Sequence, residues 1–329
     1  MAQNLIIANA QYNDVPSVSI PKQGGGSASF IDTSDGTVVA EDVLENKVCY
    51  SQGVRIVGTG TGGSATKYGI SIDDLLGEVN SSGQLQHPDG GDVDLVISGF
   101  TSVANYVLNY KFARSNAIKS VVFTDLQHAD GTSCLDRAFN NCTNLISASF
   151  PSLVSANGQT AFSYCFQGDT KLVSASFPLL EEATQSNAFQ YLFGGCTLLE
   201  SIDFSSLRVV GNSSATGTTY RQFYYAFQNC NKMTSITFPA LEEVWCNGTA
   251  ANMGTFSYNA KVTKFYFPKL HTISKTASYG DTTGANNIFS SCNALTEIHF
   301  ASANRTAIES STGYATKWGR SSATIYFDL

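Results

Sequence analysis

The chain has 329 residues, a formal net charge of -7, 43% hydrophobic residues and only 14% charged ones. Charged residues usually make up about a quarter of a globular chain, so the polar surface here must be built from neutral hydrogen-bonding groups. A negative balance with no basic cluster argues against nucleic acid and anionic membrane as partners. No apolar run reaches the roughly 20 residues that a membrane helix needs, and no membrane insertion is expected.

Met1-Ala2-Gln3-Asn4-Leu5-Ile6-Ile7 has no basic stretch ahead of an apolar core, so no secretory leader is expected in it. Residues 1–63 read as a β-rich attachment module. Leu5–Ile7 and Val15–Pro21 have the β-branched residues of short strands, and Gly24-Gly25-Gly26 makes a turn. Val48–Tyr50 with Val54–Val57 forms a hairpin candidate, and Gly58–Gly63 closes the module. That glycine run lacks the lysine of a phosphate-binding loop and reads as a linker. The segments Asn4–Ala10, Tyr12–Val18 and Ile20–Gly26 resemble the N-terminal segment of tail-associated structural proteins of phages and prophages of Gram-positive bacteria, and Tyr50, Gly53–Arg55 and Gly58–Gly60 continue the likeness. The resemblance implies that this end attaches to other virion or tail proteins while the other end faces a host.

Residues 64–94 read as a connector, with one short amphipathic piece at Ile70–Val79 and a turn at Asn80–Gly83. The acidic, Gly-rich Asp89-Gly90-Gly91-Asp92-Val93-Asp94 has carboxylates that suit calcium, but it lacks the twelve-residue loop with a terminal glutamate. A plain turn is the expectation, with no metal and no cofactor.

From residue 95 onward one spacing recurs, Leu-x-x-apolar-x-Phe, as in Leu145/Ala148/Phe150 and Leu172/Ala175/Phe177. The anchoring phenylalanines Phe123, Phe150, Phe177, Phe204, Phe238, Phe267, Phe300 and Phe327 step by 27, 27, 27, 34, 29, 33 and 27 residues. Such a period predicts a solenoid, because one coil cannot bury its own apolar face and must stack on its neighbours. Each apolar-x-Phe segment reads as a short strand ended by proline (Pro151, Pro178, Pro239, Pro268), which has no N–H for the ladder. A second apolar pair follows, then a polar loop, then a Phe-x-x-Cys turn expected to be a short helix. Phe227-Gln228-Asn229-Cys230-Asn231-Lys232-Met233-Thr234-Ser235-Ile236-Thr237-Phe238-Pro239 resembles the bacterial surface-antigen (BspA-like) subclass of leucine-rich repeats, and the likeness covers roughly residues 100–329. It implies a right-handed stack of about seven coils plus caps, α/β to mainly β, over residues 95–329.

The eight cysteines do not form a disulfide pattern. Cys142, Cys196, Cys230 and Cys292 share one slot of the repeat, filled by Ser115, Asp169 and Asn259 in other coils. This reads as a semi-buried small polar position holding reduced, structural thiols. Metal ligation is not expected, since His87, His128, His271 and His299 bear no regular relation to the cysteines.

Loops of unequal length leave the same point of successive coils at 157–160, 184–187, 212–222, 247–254 and 274–287, and should crowd one edge. They are rich in Ser, Thr, Gly, Asn and Tyr, as antibody loops are, where tyrosine supplies contact area at low entropic cost. The candidate ligand-binding residues are Tyr220, Tyr224, Tyr225, Trp245, Asn247, Tyr279 and Asp281, although Tyr224 and Tyr225 also suit the core. Polar strand positions such as Glu200, Ser201, Asp203, Thr237, Lys264, Tyr266, Glu297 and His299 form a second candidate face. No catalytic elbow, zinc-protease motif or coherent acid pair appears, and Glu181-Glu182 and Glu242-Glu243 are repeat features.

The reading is therefore a non-enzymatic recognition protein, a phage or phage-derived tail fibre or tail-tip component assembled in the bacterial cytoplasm. Its solenoid would bind a host-surface glycan or protein, and self-association is compatible with it. The alternatives are a bacterial cell-surface adhesin and a virion decoration protein without ligand.

Overall fold

The computed structural model describes residues 93–213, 219–248, 255–275 and 287–329, together with the backbone of seven strands ahead of them. Those seven include a hairpin of Gln3–Ile7 with Ala10–Val15 and another of Ser17–Pro21 with Ser27–Ile31, separated at Pro16. The expected hairpin at 48–57 is present as Asn46–Ser51 paired antiparallel with Val54–Thr59. Ala65–Gly69 then adds to it and pairs in parallel with Val93–Ile97, the first strand of the repeats. One sheet thus runs from residue 46 to residue 203.

The repeat region is the expected parallel-strand solenoid, and each coil has three sides. On the first, short strands of three to six residues stack in parallel with fixed register: Ser120, Ser147, Ser174 and Ser201 lie side by side, as do Val121, Ala148, Ala175 and Ile202. Alternation along a strand sends the second set inward, and Val121, Ala148 and Ala175 are buried. Behind it lies the phenylalanine column, Phe123, Phe150, Phe177 and Phe204, with ring centroids 4.8, 4.9 and 5.1 Å apart. The second side starts as single bridges Ser102↔His128↔Ser155↔Glu182 and grows into the strands Glu182–Ala183, Val209–Val210, Glu243–Gly248 and Thr272–Lys275. Glu182 and Glu243 occupy one column, as repeat features should.

The third side departs from expectation. The Phe-x-x-Cys segment is not a helix but the end of a run of consecutive turns. In residues 131–142 alternate N–H groups bond within the coil, three residues back (Ala138 to Leu135, Cys142 to Phe139). The others bond to the next coil (Leu135 to Ala161, Arg137 to Ser163, Phe139 to Cys165). Every fourth residue has positive φ: Ser133, Arg137 and Asn141, then Thr160, Tyr164 and Gly168, then Asn187, Tyr191 and Gly195. A helix satisfies its backbone internally. Here the stack satisfies it between coils, and a second set of phenylalanines (Phe139, Phe166, Phe193) packs inside. The only α-helix among the described residues, Arg305–Glu309, lies near the C-terminus, where Ile308 and Trp318 close the core.

The cysteine slot is fully buried rather than semi-buried. Each thiol donates to the carbonyl of the preceding coil's phenylalanine: Cys142 to Phe112 (3.1 Å), Cys196 to Phe166 (3.0 Å), Cys230 to Phe193 (3.1 Å) and Cys292 to Phe256 (3.1 Å). The slot suits a small donor, which adds a second hydrogen bond to a carbonyl that already accepts a backbone N–H, as Phe112 does from Ser115 and Phe193 from Cys196. Burial raises every one of these thiols, Cys230 and Cys292 to about 12, so they stay protonated. Asn259 meets the same demand with its amide, bonding the Phe223 and Phe256 carbonyls. Asp169 occupies the slot between Cys142 and Cys196. Its carboxyl oxygens have no hydrogen-bond partner among the described residues, and burial pushes its pKa well above the carboxylate range.

Candidate recognition surface

The tyrosines that the sequence points to separate in the structure. Tyr224 and Tyr225 lie on the turn side. Tyr220 and Asn247 pair backbone to backbone in a small antiparallel ribbon beside the second sheet. Trp245, two residues along, is half-buried and donates its indole N–H to Glu243 Oε2 at 2.7 Å. Tyr279 and Asp281 lie outside the described residues.

The loop edge has a structural duty in the regular coils. The Asp130 carboxylate accepts the Asn157 N–H at 3.0 Å, and the Asn157 side-chain carbonyl accepts the Thr184 N–H at 2.9 Å. These bonds, each spanning 27 residues, zip the short loops at 157–160 and 184–187 to their neighbours. In the acidic segment before the repeats, Asp94 is committed to Ser120, whose hydroxyl donates to it at 2.7 Å.

What the structure brings together is a column on the turn side made of the residue two before each phenylalanine: Tyr110, Arg137, Tyr164, Tyr191 and Tyr225, extended by Tyr258. The Arg137 guanidinium lies between two rings, 5.2 Å from the Tyr110 centroid and 4.2 Å from that of Tyr164. Tyr164 stacks on Tyr191 (4.7 Å, 9°), Tyr191 on Tyr225 (4.5 Å, 8°) and Tyr225 on Tyr258 (4.2 Å, 21°). Tyr224, buried to 7% exposure, packs edge-on against Tyr191, Tyr225 and Tyr258 and serves as a wall rather than as contact surface. Arg137 is paired with Asp136 at 2.9 Å, so the column carries no uncompensated charge. Burial raises the phenols of Tyr164 and Tyr225 and takes Tyr191 to about 12. They stay neutral and keep their hydroxyl protons at physiological pH. Beside the column, Asn140 donates its amide to Gln167, and Gln190 reaches the Tyr164 hydroxyl at 3.5 Å.

Tyr110, Tyr164, Tyr191 and Tyr258 were not among the sequence candidates. The signal for the first three is Tyr-x-Phe, at Tyr110-Lys111-Phe112, Tyr164-Cys165-Phe166 and Tyr191-Leu192-Phe193, shared with the candidate Tyr225-Ala226-Phe227; Tyr258-Asn259-Ala260 lacks it.

The second candidate face is real but mostly self-engaged. Tyr266, His299 and Tyr326 stack at 4.5 and 4.7 Å. His299 contacts Asp328 through Nδ1 at 2.9 Å and Glu297 through Nε2 at 3.1 Å. Lys264 pairs with Glu297 at 2.9 Å, and the hydrogen bonds from Lys264 and then His299 lower the Glu297 carboxyl. Towards the N-terminus this face becomes a flat row of serines.

A parallel-strand solenoid whose outer side carries an ordered row of aromatic side chains is a binding or scaffold architecture. Six copies of the family model described as BspA type leucine rich repeat region match the chain, over residues 105–224, 186–284 and 223–317. These spans cover more than half of the sequence, and the protein belongs to that family. No curated protein matches it.

Proposed function

We propose that the protein is a non-enzymatic recognition component that binds a cell-surface molecule through the tyrosine-lined turn side of its repeat stack. The observation that carries this is the backbone state of the tyrosines. Tyr110, Tyr164, Tyr191, Tyr225 and Tyr258 all have φ between 53° and 64°. That region costs a non-glycine residue about 1–2 kcal/mol and ordinarily takes glycine or asparagine. The next such position in the coil takes them in four coils, Asn141, Gly168, Gly195 and Asn229, and an arginine, Arg114, after Tyr110. An aromatic stack returns about 0.5–1.5 kcal/mol per pair, so stacking roughly cancels the strain and leaves no net stabilisation to account for the tyrosines. Strain retained at a series of equivalent positions points to function.

A phage or phage-derived tail is the assembly favoured by the likeness of residues 4–26 to tail-associated proteins, with residues 1–63 as the attachment end. A bacterial surface adhesin of the same repeat family is the alternative. The experiment is saturation binding of the labelled full chain to a panel of Gram-positive cells. Saturable binding, weakened at least tenfold by Tyr191→Ser with Tyr225→Ser at unchanged circular dichroism, supports the reading. Binding to no cell, or binding indifferent to both changes, refutes it.

A further inference from the structure

We infer that the ligand of the turn side is an uncharged linear glycan lying along the tyrosine column, one sugar ring to a coil. The inference rests on the recognition reading above and adds the class of ligand. Three observations carry it.

The first is periodicity. From Tyr164 to Tyr258 the rings repeat at 4.7, 4.5 and 4.2 Å along the stack. An array of one group at a constant interval selects a ligand that repeats at that interval, which the surface of a globular protein does not. An extended peptide repeats on one side every two residues, roughly 6.6 Å, and falls out of step within two coils. A chain of pyranose rings advances by about one coil spacing per ring.

The second is what the column exposes. Each ring from Tyr164 to Tyr225 has both faces covered by its neighbours, which leaves ring edges and a chain of hydroxyls bonded to one another and to Gln190. Protein hot spots need protruding anchors that fill desolvated pockets, and stacked rings cannot supply them. A row of phenol hydroxyls with the half-buried amides of Gln167 and Gln190 alongside is suited to a ligand that is itself a row of hydroxyls. Tyr258 is the exception. Tyr225 covers one face, and the next coil places Ser291 at the equivalent position. Among the described residues no ring stacks on its second face, which can receive the face of a terminal sugar.

The third is charge. The one cation in the column, Arg137, is held between two tyrosines and neutralised by Asp136. Beside the column Arg221 lies over the Tyr224 ring at 5.3 Å, partly desolvated, and the net charge of -7 opposes a sialic acid, a teichoic acid and a nucleic acid.

The test is calorimetric titration of the full chain with cello-, xylo- and chito-oligosaccharides of two to six units, with polyglutamate and a lipoteichoic acid as charged comparators. The inference expects at least one neutral series to bind, with affinity rising steeply from two to four units and levelling beyond five. The variant Y164F/Y191F/Y225F/Y258F keeps every ring stack and should lose at least tenfold affinity at an unchanged melting midpoint. Y258A should weaken binding more than any single Tyr→Phe change. If all neutral series fail while cell binding persists and is abolished by protease treatment of the cells, the ligand is a protein; the glycan inference falls and the recognition reading stands. If a glycan binds equally to the four-fold variant, the column is not its site and the inference also falls.

Discussion

The coils between Phe123 and Phe204 and those between Phe204 and Phe300 are built from one repeat but are held differently. In the first block every step is 27 residues and the sheet-side phenylalanines stack at 4.8–5.1 Å. In the second block the insertions arrive and the same column opens to 6.1, 5.9 and 5.7 Å. The first-side sheet ends at Ser201–Asp203 and restarts at Ser235–Thr237, the two strands making no pair. Ile202 is only partly buried there, where its counterparts Val121, Ala148 and Ala175 are buried. The second sheet and the turn side run through without interruption: Val209–Val210 pairs with Glu243–Val244, and Tyr191 bonds to the Tyr224 carbonyl. The turn run is also shorter in the coil at 255–260. Phe227, whose N–H would have met a backbone carbonyl, donates instead to the Asn259 side chain at 2.8 Å. Insertions are thus absorbed on the sheet side, while the tyrosine stack tightens from 4.7 to 4.2 Å across the same coils.

The contrast can be broken from either side. The largest effect belongs to the regular block. Phe177→Ala should cost about 3–5 kcal/mol, because Phe177 stacks on both neighbours at 4.9 and 5.1 Å and meets Phe162 edge-on. Phe238→Ala should fall at the low end of that range, and denaturant unfolding of the two variants ranks them. Equal losses would show that the wider spacing does not report looser packing.

Asp169 is the flaw in the regular block. Below the unfolded carboxylate pKa of about 3.9 both states hold the proton and the group costs only its unmade hydrogen bonds, about 1–3 kcal/mol. Above it the unfolded chain releases the proton while the buried carboxyl retains it, so stability falls as pH rises towards the raised native pKa. Asp169→Cys, which restores the thiol found in the neighbouring coils, should raise stability near pH 3 by about that amount. At pH 7 the gain should be larger, by about 1.4 kcal/mol for each pH unit between the two pKa values up to pH 7. Melting midpoints of the two proteins from pH 3 to 8 should therefore diverge; parallel curves would mean that the carboxyl is solvated or paired.

A smaller effect is expected at the tyrosines. In an absorbance titration the stacked phenols should ionise later than free tyrosine, near pH 12 for Tyr191, since burial raises them. The acid group's folded pKa is raised, so its contribution is intact below pH 10 and is lost above it. Tyr191→Phe should remove one late-titrating component, leaving that of Tyr225, which burial also raises, and change stability by less than about 1 kcal/mol.

The repeat period, the strand positions and the shared cysteine slot were legible because stacking forces the same residue types to recur at Phe150, Ala148 and Cys142. The turn conformation was not. Phe-x-x-Cys with its preceding Ala and Leu fits a helical spacing, and only the bonds between coils, which are non-local, decide for turns. The tyrosine column was half visible. Loop composition drew attention to Tyr224 and Tyr225, but Tyr164 and Tyr191 sit inside the regular motif, where a recurring residue reads as core. Their strained backbone, which separates the two cases, cannot be read from residue identity.

The account turns on whether those tyrosines serve recognition as well as packing. Cell binding and melting midpoint should be measured side by side on the wild-type chain and on Y164F/Y191F/Y225F/Y258F. The account predicts midpoints within a few degrees of each other and a loss of at least tenfold in binding. Binding unchanged in the variant would contradict it and leave the column a structural stack alone.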